Sequence, residues 1–161
     1  MAKMEVSEQG LSFIKEAEGF KSEAYLCAAG KWTIGYGHTD GVTKGMTMDE
    51  ATASKLLQAE VNASFAAPVE QALMAAKVTV VTQEQFDAMV SLAYNIGVTN
   101  FKRSSVLREL AAGNIQAAAD HFLDWNKISV TNSKGVVEKR EVKGLTARRM
   151  RERALFLKHE A

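Results

Sequence analysis

Glu18, Cys27 and Thr33 lie close together in the chain and bring three different kinds of chemistry. A carboxyl group in an apolar cleft can hold a proton and hand it on. A thiol is mostly neutral at pH 7, but its thiolate is a base and a nucleophile where the surroundings favour it. A hydroxyl can orient water. Each residue also has an ordinary structural role open to it: an exposed helix-end glutamate, a small buried apolar side chain and a strand threonine. Other chemistries lack their residues. His38, His121 and His159 are far apart, with no His-Glu-x-x-His and no cysteine pair, so no metal site is expected. There is no Gly-x-Ser-x-Gly elbow. Gly35-Tyr36-Gly37 opens like a dinucleotide fingerprint but lacks the third glycine and a βαβ setting, so no cofactor is expected.

The elements that must position these groups follow from periodicity. Leu11, Phe13, Ile14 and Ala17 fall at helical spacing, with Ser7 as N-cap and Gly19 as stop, so Glu18 ends a helix. The negative end of the helix dipole disfavours a second negative charge there, which suits a proton donor; a basic neighbour such as Arg148 or Arg149 would oppose it. Ala24–Leu26 and Lys31–Ile34 flank the turn Cys27–Gly30 and predict a hairpin. Thr47-Met48-Asp49-Glu50 has capping-box spacing and opens a long helix that Pro68, the only proline, should break or restart. Thr82–Gln85 is a second capping box, ahead of the apolar run Phe86–Ile96 that reads as the central core helix. Further helices are expected over Ser104–Ala112, Asn114–Trp125 and Leu145–His159, and an exposed loop or small hairpin over Ser129–Val142.

The fold class is therefore α+β and mostly helical: a small N-terminal lobe with a β-hairpin (about 1–47), a linking helix (about 48–67) and a helical lobe (about 68–161). Hydrophobic residues make up 47% and charged residues 24% of the 161, the balance of a folded globular chain. Net charge is +1, yet nine Lys or Arg face four Glu from Lys134 onward. That excess fits an acidic polymer such as peptidoglycan, a nucleic acid, or merely a solvated basic face. No recognition module for nucleic acid accompanies it. The segment MAKMEVSEQG lacks the apolar core of a signal peptide, and no stretch reads as a membrane span.

Four ordered blocks carry a resemblance. Glu18-Gly19-Phe20 with Tyr25 and Gly30–Thr39, then Thr82–Gly97, then Phe101 with Ser104-Ser105, and last Gly144-Leu145 with Arg148-Arg149 and Glu152, resemble the phage lysozymes of glycoside hydrolase family 24. The resemblance spans nearly the whole chain and implies a lysozyme-like fold. It implies an endolysin that hydrolyses the β-1,4 bond between N-acetylmuramic acid and N-acetylglucosamine during host lysis. The family's catalytic pattern is a Glu, eight residues, an Asp or in some members a Cys, five residues, then a Thr. Glu18, Cys27 and Thr33 match both spacings, with Cys where most relatives carry Asp.

By that resemblance Glu18 is the acid, Thr33 orients water and Cys27 stabilises the cation, activates water or attacks the sugar. Inversion at the anomeric carbon is implied. Tyr25, Trp32 and Trp125 are candidates to stack on sugars, and Asn95 and Ser104 to line the cleft or cap helices. The expected setting is a monomer made in the host cytoplasm, without membrane insertion or nucleic-acid partner, reaching a thin Gram-negative wall in the periplasm once a holin opens the membrane. A lytic transglycosylase, which makes anhydro ends without water, and a wall-binding protein impaired by Cys27 are the alternatives.

Overall fold

The structure is a computed structural model and describes residues 3–158. Helix α1 (Glu8–Glu18) begins as expected: the Ser7 side chain accepts from the Gly10 N–H at 3.0 Å. Gly19 ends it with φ 74°, a conformation that costs a residue with a Cβ but not glycine. Asp87 anchors this end of the helix, accepting from the Ser7 backbone N–H at 3.0 Å and from the Ser7 hydroxyl. The approach is close enough that a Cβ on Gly10 would lie 2.5 Å from Asp87 Cγ. Gly10→Ala is therefore expected to lower stability by about 2 kcal/mol despite alanine's better helix propensity. Urea unfolding checks this; an unchanged or raised midpoint would refute it.

Two residues after α1 the chain enters an antiparallel hairpin of β1 (Lys21–Leu26) and β2 (Trp32–Gly35), with Tyr25 opposite Thr33 and Leu26 opposite Trp32. Residues 46–48 extend this layer: Ala24 N–H donates to the Met46 carbonyl and Met48 N–H to that of Ser22, both at 2.9 Å. Thr47 thus sits in a bridge with Glu23 and is not a helix cap. Helix α2 (Glu50–Val61) starts later than the sequence spacing indicates, capped by Asp49, whose Oδ1 accepts from the Thr52 N–H at 2.7 Å.

Pro68 does not break the long helix. The backbone widens into a π-helical turn over Asn62–Ala66, where Ala67 N–H reaches the Asn62 carbonyl, and continues as α3 (Ala67–Ala75) with Pro68 in its first turn. A proline there needs no donor of its own, so widening relieves the clash without ending the helix.

Helix α4 (Gln83–Ile96) carries the predicted capping box, with Thr82 Oγ1 accepting from Gln85 N–H and Gln85 Oε1 from Thr82 N–H. Its Phe86, Met89, Val90, Leu92 and Ala93 are fully buried, and it packs on α1 and on the last helix. Around it follow α5 (Val98–Lys102), α6 (Ser105–Ala111) and α7 (Ile115–Asp120). The single helix expected to Trp125 instead tightens into a 3₁₀ turn over His121–Trp125.

A second hairpin, β3 (Lys127–Thr131) with β4 (Val137–Glu141), occupies the stretch read as a loop or small hairpin. Asn132 builds its turn, its Oδ1 accepting from the Lys134 and Val136 N–H groups. Helix α8 (Lys143–Phe156) closes the fold; His159, the expected end of that helix, lies outside the described residues. The α+β, mostly helical class stands.

Candidate active site

Glu18 is the last residue of α1, so its backbone is fixed by helix packing while its side chain reaches past the helix end. The turn after β2 comes to meet it. Backbone bonds between Ile34 and His38, 2.9 Å in both directions, close a tight loop holding Gly37 at φ 90°. A Cβ on Gly37 would lie 3.6 Å from Glu18 Oε1 and 3.9 Å from the Tyr94 hydroxyl. Those distances are ordinary van der Waals contact, so it is the positive φ that calls for glycine where the loop meets the carboxyl group and the phenol. The Tyr94 hydroxyl donates to the Tyr36 carbonyl at 3.3 Å. Burial first, then the charges of Glu18 and Glu60, push the phenol's pKa up, so Tyr94 stays a neutral donor beside Glu18.

Arg148 of α8 reaches Glu18 from the other side, its Nη1 lying 2.7 Å from Glu18 Oε2. The basic neighbour set against proton donation in the sequence is thus present. Its charge is shared, however. Arg148 Nε lies 3.3 Å from Glu152 Oε2, and Glu152 is fully buried. Glu152 also accepts from the Ser91 hydroxyl at 2.6 Å and from Arg149 Nη2 at 3.2 Å, with Arg149 Nε in ionic contact at 2.6 Å. Burial pushes the Glu152 carboxyl above its ordinary value, while Arg149, Ser91 and Arg148 pull it back. Two guanidinium groups therefore divide between two carboxylates, and Arg148 is not spent on Glu18 alone.

Cys27 begins the turn between β1 and β2, its N–H donating to the Lys31 carbonyl at 2.9 Å. The thiol is partly exposed. Its pKa is lowered by the Lys31 N–H first, then by the Thr33 hydroxyl and the Ala29 N–H, all of which favour the thiolate. Thr33 is buried, at 3% exposure, and its hydroxyl donates at 3.0 Å to the Lys31 carbonyl, the same carbonyl that accepts from the Cys27 N–H. A lowered thiol pKa has a direct consequence. Alkylation of Cys27 by iodoacetamide should reach half its limiting rate at a lower pH than an unperturbed thiol does, and Thr33→Val should move that midpoint back up. An ordinary thiol titration in both proteins would contradict this.

The other candidates divide. Tyr25 is exposed and shares the Thr33 face of the hairpin. Trp32 pairs with Leu26 on the opposite face, because neighbours along a strand alternate. Asn95 is exposed at the end of α4 and accepts from Arg149 Nη1 at 3.0 Å, which joins it to the buried charges behind Glu18. Ser104 stands apart from this cluster. It is buried, its hydroxyl donates to the Phe101 carbonyl at 2.7 Å and accepts from the Leu107 N–H, and so it caps α6. His38 lies 3.9 Å from Glu60. Among the described residues no cluster of side chains has the makeup of a metal site.

The sequence reading gave no site role to Tyr94, placed in the core run, or to Glu152, named only among the residues that carry the resemblance. The one available signal was Arg148-Arg149-x-x-Glu152: opposite charges at i+3 and i+4 on a helix face that also carries the buried Leu155 and Phe156.

The family model described as Phage lysozyme matches residues 15–152. An endolysin of Acyrthosiphon pisum secondary endosymbiont phage 1 is 37% identical, covering 95% of this chain and 98% of its own. A SAR-endolysin of Haemophilus phage HP1 is 34% identical, with 95% and 81% covered. The solved endolysin from Escherichia coli O157:H7 phage FAHEc1 superposes with a TM-score of 0.84 at 39% identity, covering 96% of this chain and 94% of that one.

Proposed function

The chain belongs to the phage lysozyme family and is a muramidase of the endolysin kind that hydrolyses bacterial peptidoglycan; we propose that Glu18, Cys27 and Thr33 perform the cleavage. The observation that carries this reading is the turn of the β1–β2 hairpin, where the Cys27 N–H and the Thr33 hydroxyl both donate to the Lys31 carbonyl, at 2.9 and 3.0 Å, and so hold the two residues together. That hairpin leaves α1 only two residues after Glu18.

In the proposed reaction Glu18 protonates the bridging oxygen as the bond from C1 of N-acetylmuramic acid to that oxygen breaks. Water, oriented by Thr33, forms the new bond to C1 and gives its proton to the Cys27 thiolate. The released N-acetylglucosamine end carries the Glu18 proton, and Arg148 receives the resulting carboxylate. Exchange with solvent then resets both groups. Tyr25, on the Thr33 face, contacts the sugars, and Asn95 contributes from the helical lobe. Trp32, across the hairpin, is the outer candidate.

Replacement of Cys27 tests the assignment. Cys27→Asp is expected to keep wall lysis, since aspartate is ionised without help. Cys27→Ala should lose roughly a hundredfold, the low end for a general base. Equal rates for Ala and Cys would make the thiol a bystander.

The proposal extends to organisation and release: residues 1–47 and 68–161 act as two lobes of a monomer, which crosses the inner membrane where a holin opens it. Among the described residues no helix is long and apolar enough to cross a membrane. Expression in a Gram-negative host with and without a co-expressed holin distinguishes this from self-export; lysis without the holin would favour the latter.

A further inference from the structure

The two carboxyl oxygens of Glu18 have different neighbours. Arg148 Nη1 holds Oε2 at 2.7 Å, while Oε1 lies toward Gly37, 3.6 Å from where a Cβ would stand on that glycine. A guanidinium only donates, so it favours a bare oxygen over one that carries a proton. The transferable proton therefore belongs on Oε1. We propose that Tyr94 is a positioning residue for that proton, its hydroxyl pinning the loop after β2 where the loop meets Oε1. This rests on the reading of Glu18 as the acid.

The loop has few anchors of its own at that point. Its backbone bonds join Ile34 to His38 across its mouth and leave the Tyr36 carbonyl to the Tyr94 hydroxyl, at 3.3 Å. Tyr36 is buried, and an acceptor without a donor there is costly. The Tyr36 ring is held separately, 5.5 Å from that of Phe20. Ring packing fixes the residue but not the peptide plane that follows it. That plane leads into Gly37, at φ 90°, and a glycine tolerates many other values. One hydrogen bond from α4 thus decides how the Tyr36–Gly37 peptide is turned, and with it the surface that Oε1 meets.

Tyr94 is itself well held. It stands on the central helix α4, and the Phe65 ring of the π-helical turn meets its ring edge-on, with centroids 4.9 Å apart. Its hydroxyl lies 3.9 Å from the same Gly37 Cβ position that Oε1 approaches. The charges of Glu18 and Arg148 both act on the phenol, which puts it beside that ion pair. Because burial and the nearby carboxylates keep it protonated, it remains a donor to the loop whether or not Glu18 has given up its proton.

Removing the hydroxyl alone keeps the ring against Phe65 and frees the Tyr36–Gly37 peptide to turn. Glu18 then keeps its proton and its bond to Arg148 but loses the surface that aims Oε1 at the leaving oxygen. Misplacing a reacting group by about 1 Å can cost on the order of a hundredfold, so a partial loss of aim should cost roughly tenfold. The loss should fall on the proton-transfer step and not on binding, because Tyr94 acts through the loop and Glu18 without holding a sugar.

The test compares the wild-type protein with Tyr94→Phe on two substrates. One is glycan strands, whose leaving sugar oxygen needs a proton. The other is a short strand closed at C1 of its N-acetylmuramic acid by 2,4-dinitrophenol, which departs as a phenolate without one. Tyr94→Phe should lower kcat roughly tenfold on strands with KM unchanged, and less than about twofold on the dinitrophenyl substrate. Thr82→Ala, which removes the cap at the far end of α4, controls for stability. It should melt at least as low as Tyr94→Phe yet keep the wild-type kcat. An unchanged kcat on strands, an equal loss on both substrates, or a raised KM with kcat kept each overturns the proposal. Glu18→Gln, run alongside, separates the two readings. If it is inactive on strands while Tyr94→Phe matches wild type, Tyr94 alone is removed. If it still cuts strands, the acid assignment falls and the role of Tyr94 falls with it.

Discussion

Glu18→Gln should abolish wall lysis, by a thousandfold or more on the order expected for loss of a general acid, while the protein folds nearly as before. The geometry explains both halves. A carboxamide cannot deliver a proton to the leaving oxygen, and no other carboxyl oxygen among the described residues comes within 4 Å of a Cβ placed on Gly37. Its carbonyl oxygen can still accept from Arg148 Nη1, and Arg148 keeps Glu152 and the Ser91 carbonyl. The side chain is about a quarter exposed, so losing its charge should cost no more than about 1 kcal/mol. Lysis of chloroform-treated cells and a thermal melt read the two effects. Retained lysis with an unchanged melt would remove Glu18 from the reaction.

The largest stability effect is expected away from the substrate. Glu152→Ala should lower stability by about 4 kcal/mol, because it leaves Arg149 fully buried and Arg148 nearly so without their shared carboxylate. For a chain of this size that is a fall of roughly 10 °C in Tm. Glu152→Gln should fall between, since the amide oxygen still accepts from Ser91 and one guanidinium. Differential scanning calorimetry of both variants checks the order. An alanine variant as stable as wild type would mean that the buried charges are already satisfied by Asn95, the Trp125 carbonyl and the Ser91 carbonyl.

What was legible beforehand was mostly local. Ser7, Gly19, Thr82 and Gln85 announce helix ends through their own backbone chemistry, and the structure uses all four that way. Where two local signals competed, tertiary pairing decided. Thr47 has capping-box spacing, but the strand edge at Glu23 claims it and Asp49 takes the cap. Pro68 should interrupt a regular helix, yet one wide turn accommodates it.

The site shows the same division. Glu18, Cys27 and Thr33 were singled out by the family spacing, and their joint role in cleavage is the proposal made above. Tyr94 was hidden inside an apolar run, since nothing local says that its hydroxyl faces the acid. Arg148 was visible only as one of two adjacent arginines, 130 residues from Glu18. Ser104 looked as much like a cleft residue as a cap, and its buried hydroxyl is spent on α6.

The most direct measurement is mass spectrometry of the soluble fragments released from purified peptidoglycan in water enriched in oxygen-18. The account predicts muramic acid reducing ends carrying one labelled oxygen, because water oriented by Thr33 forms the new bond at C1. Unlabelled 1,6-anhydro ends would contradict it and place the chain's chemistry with the lytic transglycosylases.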